Sequence, residues 1–324
     1  MLIRRSYERN GNLLPGAWNV LAAIPDEHTR HLAHGKRHPK STYLTSLRAI
    51  AEQWLKVLDA NDKLHSEHNW EGTENTSPVL LAAYRELLYR LNEHFDACFS
   101  VLRSLCDPNA ASSGLIFDSQ YLDKANFPGW KKFRDAVKPY RDGHIGLLVN
   151  TLKHRQGELC FIFFYTRTEF RPGYYLRDVL PDGALGPSSK LHDGANTALS
   201  FSRDLMVHLW WLYHTGDLLA RTVTGALRAM HGVQLPELST VAPDLRWDEL
   251  ISRCAKLRPD FFPDEVSKGY PRILYQASGP TVTLEFPTVT RGHRVGPMHV
   301  QTHITVDGNH PSNKLPYFGN DFSD

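Results

Sequence analysis

One short run sets a guanidinium, a carboxylate and an imidazole close together: Arg203, Asp204 and His208, in Arg-Asp-Leu-Met-Val-His. A guanidinium grips phosphate oxygens through paired hydrogen bonds, and an imidazole exchanges protons near neutral pH. Those residue types suit RNA cleavage without a metal, in which a base takes the proton of the 2′-hydroxyl and a cation stabilises the charged phosphorane. A second run, Asn150-Thr-Leu-Lys-His-Arg155, gathers Asn150, Lys153, His154 and Arg155 near a helix end. Cations at that position also satisfy the last carbonyls and the helix dipole.

Arg203, then four residues, then His208 resembles the signature of HEPN ribonucleases, in which four to six residues intervene between Arg and His and Asn, Asp or His often follows the Arg. The resemblance implies a compact helical bundle that pairs as a homodimer, so that two copies of the motif meet in one cleft, with RNA as the partner and no cofactor. It implies catalytic roles for three residues: His208 as acid and base, Arg203 on the phosphate, and Asp204 orienting both. It covers at most the helices between about 77 and 230. Asn150 and His154 are similar to the HEPN core as well, as a nucleic-acid-binding group with Lys153 and Arg155. There Val149 stands where an Arg is expected, and Lys153, Arg155 or Arg141 are the cations able to replace it in space.

The Arg-to-His spacing recurs at Arg294 to His299, where Gly296 and Pro297 preclude a helix, so spacing alone does not select a function. Two other classes stay open. In one, the helical body is a scaffold and the C-terminal β part or the N-terminal arm contacts a protein partner. In the other, a metal-dependent hydrolase, clustered histidines converge with a carboxylate.

Two histidine groups bear on that last class. His28, His31, His34 and His38 fall at helical spacing, but Arg30, Lys36 and Arg37 would repel a cation, which favours a solvent-facing basic surface. His299, Gln301 and His303 alternate as on one face of a strand, with His293 and His310 nearby. No residue is assigned as a metal ligand on this basis. The Arg and aromatic residues between Tyr165 and Tyr175 could stack on single-stranded nucleic acid or form an ordinary hairpin tip. Phosphate loops, dinucleotide-binding glycine fingerprints, H-E-x-x-H and G-x-S-x-G are all lacking, which argues against the commonest nucleotidases, oxidoreductases, zinc proteases and α/β-hydrolases.

These groups need elements to hold them. Apolar residues recur at three and four from Ser41 to about Asn61, and again from Ser77-Pro78 to about Leu105, which predicts two antiparallel helices joined by a polar loop over 62–76. A helix follows Pro128 and is broken near Pro139, and another covers 142–154. Leu-Cys-Phe-Ile-Phe-Phe-Tyr within 158–166 reads as a buried strand, with 173–180 as its hairpin partner. The longest helix runs from about 195 to 230. Beyond a short helix at 247–257, segments 271–276, 281–286 and 297–305 read as an antiparallel meander with a Gly279-Pro280 turn.

The fold class expected is α+β and mainly α: a helical bundle with an inserted β-hairpin and a small C-terminal antiparallel β meander. Its expected divisions are an irregular arm over 1–40, a helical domain over 41–232 with the hairpin near 158–180, an α+β module over 245–306 that could meet a protein partner, and a tail over 307–324. A chain of 324 residues with 41% hydrophobic and 22% charged residues can bury its own core. A net charge of +2 excludes a globally basic nucleic-acid binder but permits a local basic groove. Four cysteines without a C-x-x-C pair predict reduced, buried thiols. The opening residues lack an apolar signal core and no run is long enough to span a membrane, which together predict a cytoplasmic protein.

Overall fold

The computed structural model describes residues 2–8, 13–67, 70–111, 114, 117–154, 157–165, 170–192, 197–236, 246–262, 265, 268–269, 271–275, 281–287, 299–302 and 314–317. Eight α-helices and eight strands lie within them, and the class is α+β with helix predominating.

The helical frame follows from the apolar stripes. Helix α2 (Pro39–Ser66) buries Tyr43, Leu47, Ile50, Trp54 and Leu58, and α3 (Trp70–Arg103) buries Tyr84, Leu88, Leu91, Phe95 and Leu102, so each lays one face on a shared core. The polar stretch expected as a loop is mostly helical: α2 runs on to Ser66, and α3 begins at Trp70 with Pro78 inside it. Thr73, Thr76 and Ser77 are buried, and Thr76 donates to Glu67, so side-chain contacts override the local polarity there.

Helix α1 (Ala17–Ala22) packs on the last long helix, α7 (Phe201–His231). Every residue of α7 from Phe201 to Trp210 is buried, so the first third of the helix is enclosed on all sides. Gly232 in the left-handed conformation (φ 68°) ends it. Between α3 and α7 come α4 (Asp118–Lys124), α5 (Trp130–Tyr140) and α6 (Gly146–His154), the last two joined by a π-turn at Arg141–Ile145.

Two antiparallel sheets complete the fold. Strand β2 (Glu158–Tyr165) pairs along its length with β3 (Phe170–Val179), forming the expected hairpin. Both faces of β2 are covered: Leu159, Phe161 and Phe163 join the main core, while Cys160, Ile162 and Phe164 join a second cluster with Tyr175, Phe262 and Tyr317. That accounts for an unbroken apolar run in place of alternation. β4 (Leu185–Pro187) and β5 (Leu199–Ser200) both pair with β3.

The C-terminal strands divide between the sheets. β6 (Arg272–Tyr275) and β7 (Thr281–Pro287) make the expected hairpin, but β1 (Leu2–Glu8) lies on the other edge of β7. The third segment, β8 (His299–Thr302), pairs with β2 instead. The arm over 1–40 therefore includes a strand as well as α1. Helix α8 (Trp247–Cys254) packs on α2 and β6. All four cysteines are buried and free. Among the described residues, no helix is long and apolar enough to cross a membrane.

Candidate functional site

Asp204 and His208 lie one helical turn apart on α7, so both side chains leave the same face. Neither has any exposed surface. A polar side chain so placed needs partners from other elements, and four elements supply them. Tyr84 of α3 and Tyr174 of β3 each donate to Asp204 Oδ2 at 2.5 Å. His144, in the π-turn, places Nε2 3.0 Å from Asp204 Oδ1. Tyr140, at the end of α5, lies 2.6 Å from His208 Nδ1, and Tyr84 lies 2.9 Å from His208 Nε2. His208 Nε2 and Asp204 Oδ2 are themselves 3.3 Å apart.

Burial opposes a charge on Asp204, but the His208 and His144 imidazoles and the hydrogen bonds it accepts hold the carboxyl well below the ordinary range. Burial lowers the pKa of His208 despite the nearby carboxylate, so the ring is neutral at pH 7. Burial and then the Asp204 charge push the phenols of Tyr84, Tyr140 and Tyr174 well above theirs. A neutral His208 carrying its proton on Nε2 satisfies every partner: it donates to Tyr84 and accepts from Tyr140 on Nδ1.

Arg203 points elsewhere. One residue turns a helix by about 100°, and Arg203 Nε donates to Gly269 O at 2.7 Å and its Nη2 to Lys268 O at 3.3 Å, with Glu265 3.8 Å away. Glu265 is itself buried and accepts from the backbone N–H of Ser200 and Phe262 at 3.0–3.2 Å, closing the N-terminus of α7. Of the three residues expected to act together on RNA, the structure brings together Asp204 and His208 and directs Arg203 to a different set of partners.

The other expected group borders open space. A groove of about 520 Å³ is walled by Asn92, Asp96 and Phe99 of α3, Phe117, Asp118 and Ser119 at the start of α4, Arg141 and Asp142 of the π-turn, Gly146 and Asn150 of α6, and Lys36. The π-turn makes this wall. The N–H of Gly146 bonds Arg141 O, and a Cβ at residue 146 would stand 2.3 Å from that oxygen, so glycine is required. The Arg141 guanidinium lies 4.7 Å over the Phe99 ring. Phe117 is 61% exposed at the rim. Asp118 is held by Lys36 and Arg103, each at 2.9 Å, and Arg141 sits 3.3 Å from Asp142. Burial raises the pKa of Asp96, with Arg141 working against it.

Arg141 and Asn150 thus share one groove. Lys153 and His154 are exposed near the end of α6, where Lys153 Nζ lies 4.7 Å over Tyr89. Arg155 lies outside the described residues.

The His28 to His38 series does not form one helical face. His28 stacks on His231, His34 bonds Cys106 O at 3.2 Å, and His38 accepts from Lys40 N at the start of α2. His299 and Gln301 stand on β8, while His293, His303 and His310 lie outside the described residues, as does 166–169 of the hairpin tip.

Sequence reading missed Tyr84, Tyr140, His144 and Tyr174. Tyr84 and Tyr174 sit on apolar stripes that read as core, and no local spacing ties either to α7. The lone hint is that α7 buries Asp204 and His208 one turn apart, which demands partners. Compared with protein-family models, curated proteins and solved structures, the chain matches none.

Proposed function

We propose that this protein binds single-stranded RNA in the groove beside the π-turn, in keeping with its resemblance to HEPN proteins. The observation that carries the reading is that Arg141 and Asn150 line the same groove, since Arg141 is a cation able to replace the Arg missing before Asn150. Phe117 at the rim offers a stacking surface for a base, and Asn92, Ser119 and Asn150 offer donors and acceptors to base edges and 2′-hydroxyls. Arg141 supplies the phosphate contact.

The charge of the walls shapes this reading further. Lys36 and Arg103 are engaged with Asp118, and Asp96 and Asp142 flank Arg141. Such a groove suits a strand held mainly by stacking and base edges, with about one phosphate neutralised, so the salt dependence is shallow: log affinity should fall with log salt at a slope of about −0.7. A homodimer, implied by the same resemblance, belongs to this proposal and is read by light scattering.

Binding does not require Arg203 and His208 to meet, and their different partners favour structural roles for both. Fluorescence anisotropy with a short single-stranded RNA tests the reading. Arg141→Ala, Asn150→Ala and Phe117→Ala should each weaken binding about tenfold, in line with the ~1–3 kcal/mol of a stacked base or bidentate contact.

A further inference from the structure

We propose that His144, Asp204 and His208 form a binding site for one divalent first-row cation that fastens α7 to the π-turn and α3. One ligand atom from each of the three residues falls within 4.8 Å of the others. Four-coordinate zinc, with bonds of about 2.0–2.1 Å, holds neighbouring ligand atoms roughly 3.3 Å apart. Here His144 Nε2 stands 3.0 Å from Asp204 Oδ1, and His208 Nε2 stands 3.3 Å from Asp204 Oδ2. The third pair, His144 and His208, lies within the same 4.8 Å, so the ion would draw the two imidazoles together.

The donor set and its surroundings favour a cation. Two imidazoles and a carboxylate are ligands of borderline metals such as zinc. A metal on Nε2 would displace the Tyr84 contact there and move the ring proton to Nδ1, which would then donate to Tyr140 Oη, 2.6 Å away, and fix the ring as outer partners of metal-bound imidazoles do. The carboxylate of Asp204 has no exposed surface, and among the described residues no lysine or arginine pairs with it; the adjacent Arg203 bonds the 265–269 segment instead. A buried carboxylate lacking such a partner is where a cation adds most.

Tyr84 and Tyr174 close over Asp204, each at 2.5 Å, while His144 keeps 21% of its side chain exposed and marks the edge by which an ion enters. Enclosure of this kind fits a structural clamp. Among the described residues the His28 to His38 series gathers no third ligand: His31 packs against His38, while His28 stacks on His231 and His34 bonds Cys106 O.

The test uses the whole chain, stripped by chelator and titrated with Zn²⁺ by calorimetry, with thermal melting in parallel. One Zn²⁺ per chain should bind and raise the melting temperature, and His144→Gln should weaken uptake at least tenfold. No uptake, or equal uptake by the chelated protein and His144→Gln, overturns the proposal. Should the variant fail to fold, Co²⁺ added to the unaltered chain decides: intense visible bands of a four-coordinate ion support the site, and the weak spectrum of a six-coordinate ion overturns it.

Discussion

The hydroxyl of Tyr84 donates to Asp204 Oδ2 at 2.5 Å and also lies 2.9 Å from His208 Nε2, so one phenol ties α3 to two successive turns of α7. Removing it leaves a buried carboxylate short of a donor and a buried imidazole short of a partner. Tyr84→Phe is expected to destabilise the metal-free protein by about 2 kcal/mol, the usual cost of unsatisfied buried groups. Urea denaturation of both proteins measures it, and equal midpoints would show that the network contributes no stability.

His94 makes stability pH-dependent. Its ring is buried, with Nδ1 2.8 Å from Ser46 Oγ, and burial lowers its pKa from 6.5 to about 4. Below pH 6.5 the unfolded chain takes up a proton that the folded chain refuses until about pH 4, so stability falls as pH drops through that window. The slope is ~1.4 kcal/mol per pH unit and the total about 3 kcal/mol. His208, also lowered by burial, adds to the loss in the same direction. Denaturation midpoints at pH 7.5, 6.5, 5.5 and 4.5 should decline, and His94→Gln should flatten the decline.

Arg203 and Glu265 act at the start of α7. Glu265→Ala removes the acceptor of the Ser200 and Phe262 N–H groups and strips Arg203 of its nearest carboxylate. A loss of about 3 kcal/mol is expected in chemical denaturation. Arg203→Ala should also destabilise, while the fraction that stays folded binds RNA within twofold of the parent protein. A selective loss of RNA affinity or cleavage in Arg203→Ala would return Arg203 to the phosphate.

Gly146→Ala tests the π-turn. Its Cβ would stand 2.3 Å from Arg141 O, so the turn must rearrange and Arg141 must leave its place in the groove wall. The variant should lose about 2 kcal/mol of stability and bind RNA as weakly as Arg141→Ala. Unchanged melting and binding would show that the turn does not set Arg141.

Local pattern carries the parts of this fold whose partners are near in sequence. The stripes of α2 and α3 are legible because each buries one face at the helical period, and β2 and α7 because a short aromatic run and a long breaker-free run mark a buried strand and a buried helix. β1 is not, since the pairing that makes Leu2–Glu8 a strand comes from β7, nearly the whole chain away. The stretch before Pro78 reads as a loop because proline so often opens a helix, yet buried Thr73, Thr76 and Ser77 carry α3 through it. At the site, Asp204 and His208 stand out as residue types, whereas their tyrosine partners are hidden among core aromatics. The groove is partly legible: Asn150 is visible as a motif and Arg141 is one of three cations named for it, but only the fold shows which of them lines the same groove.

The central claim is that the groove, and not Arg203 with His208, takes RNA. Anisotropy titrations of one short single-stranded RNA against the parent protein, Arg141→Ala, Asn150→Ala and Arg203→Ala, each at two salt concentrations, test it most directly. The groove variants should bind about tenfold more weakly, Arg203→Ala should match the parent, and the salt slope should stay near −0.7. RNA affinity untouched by the groove substitutions, or no measurable RNA binding by the parent protein, would contradict it.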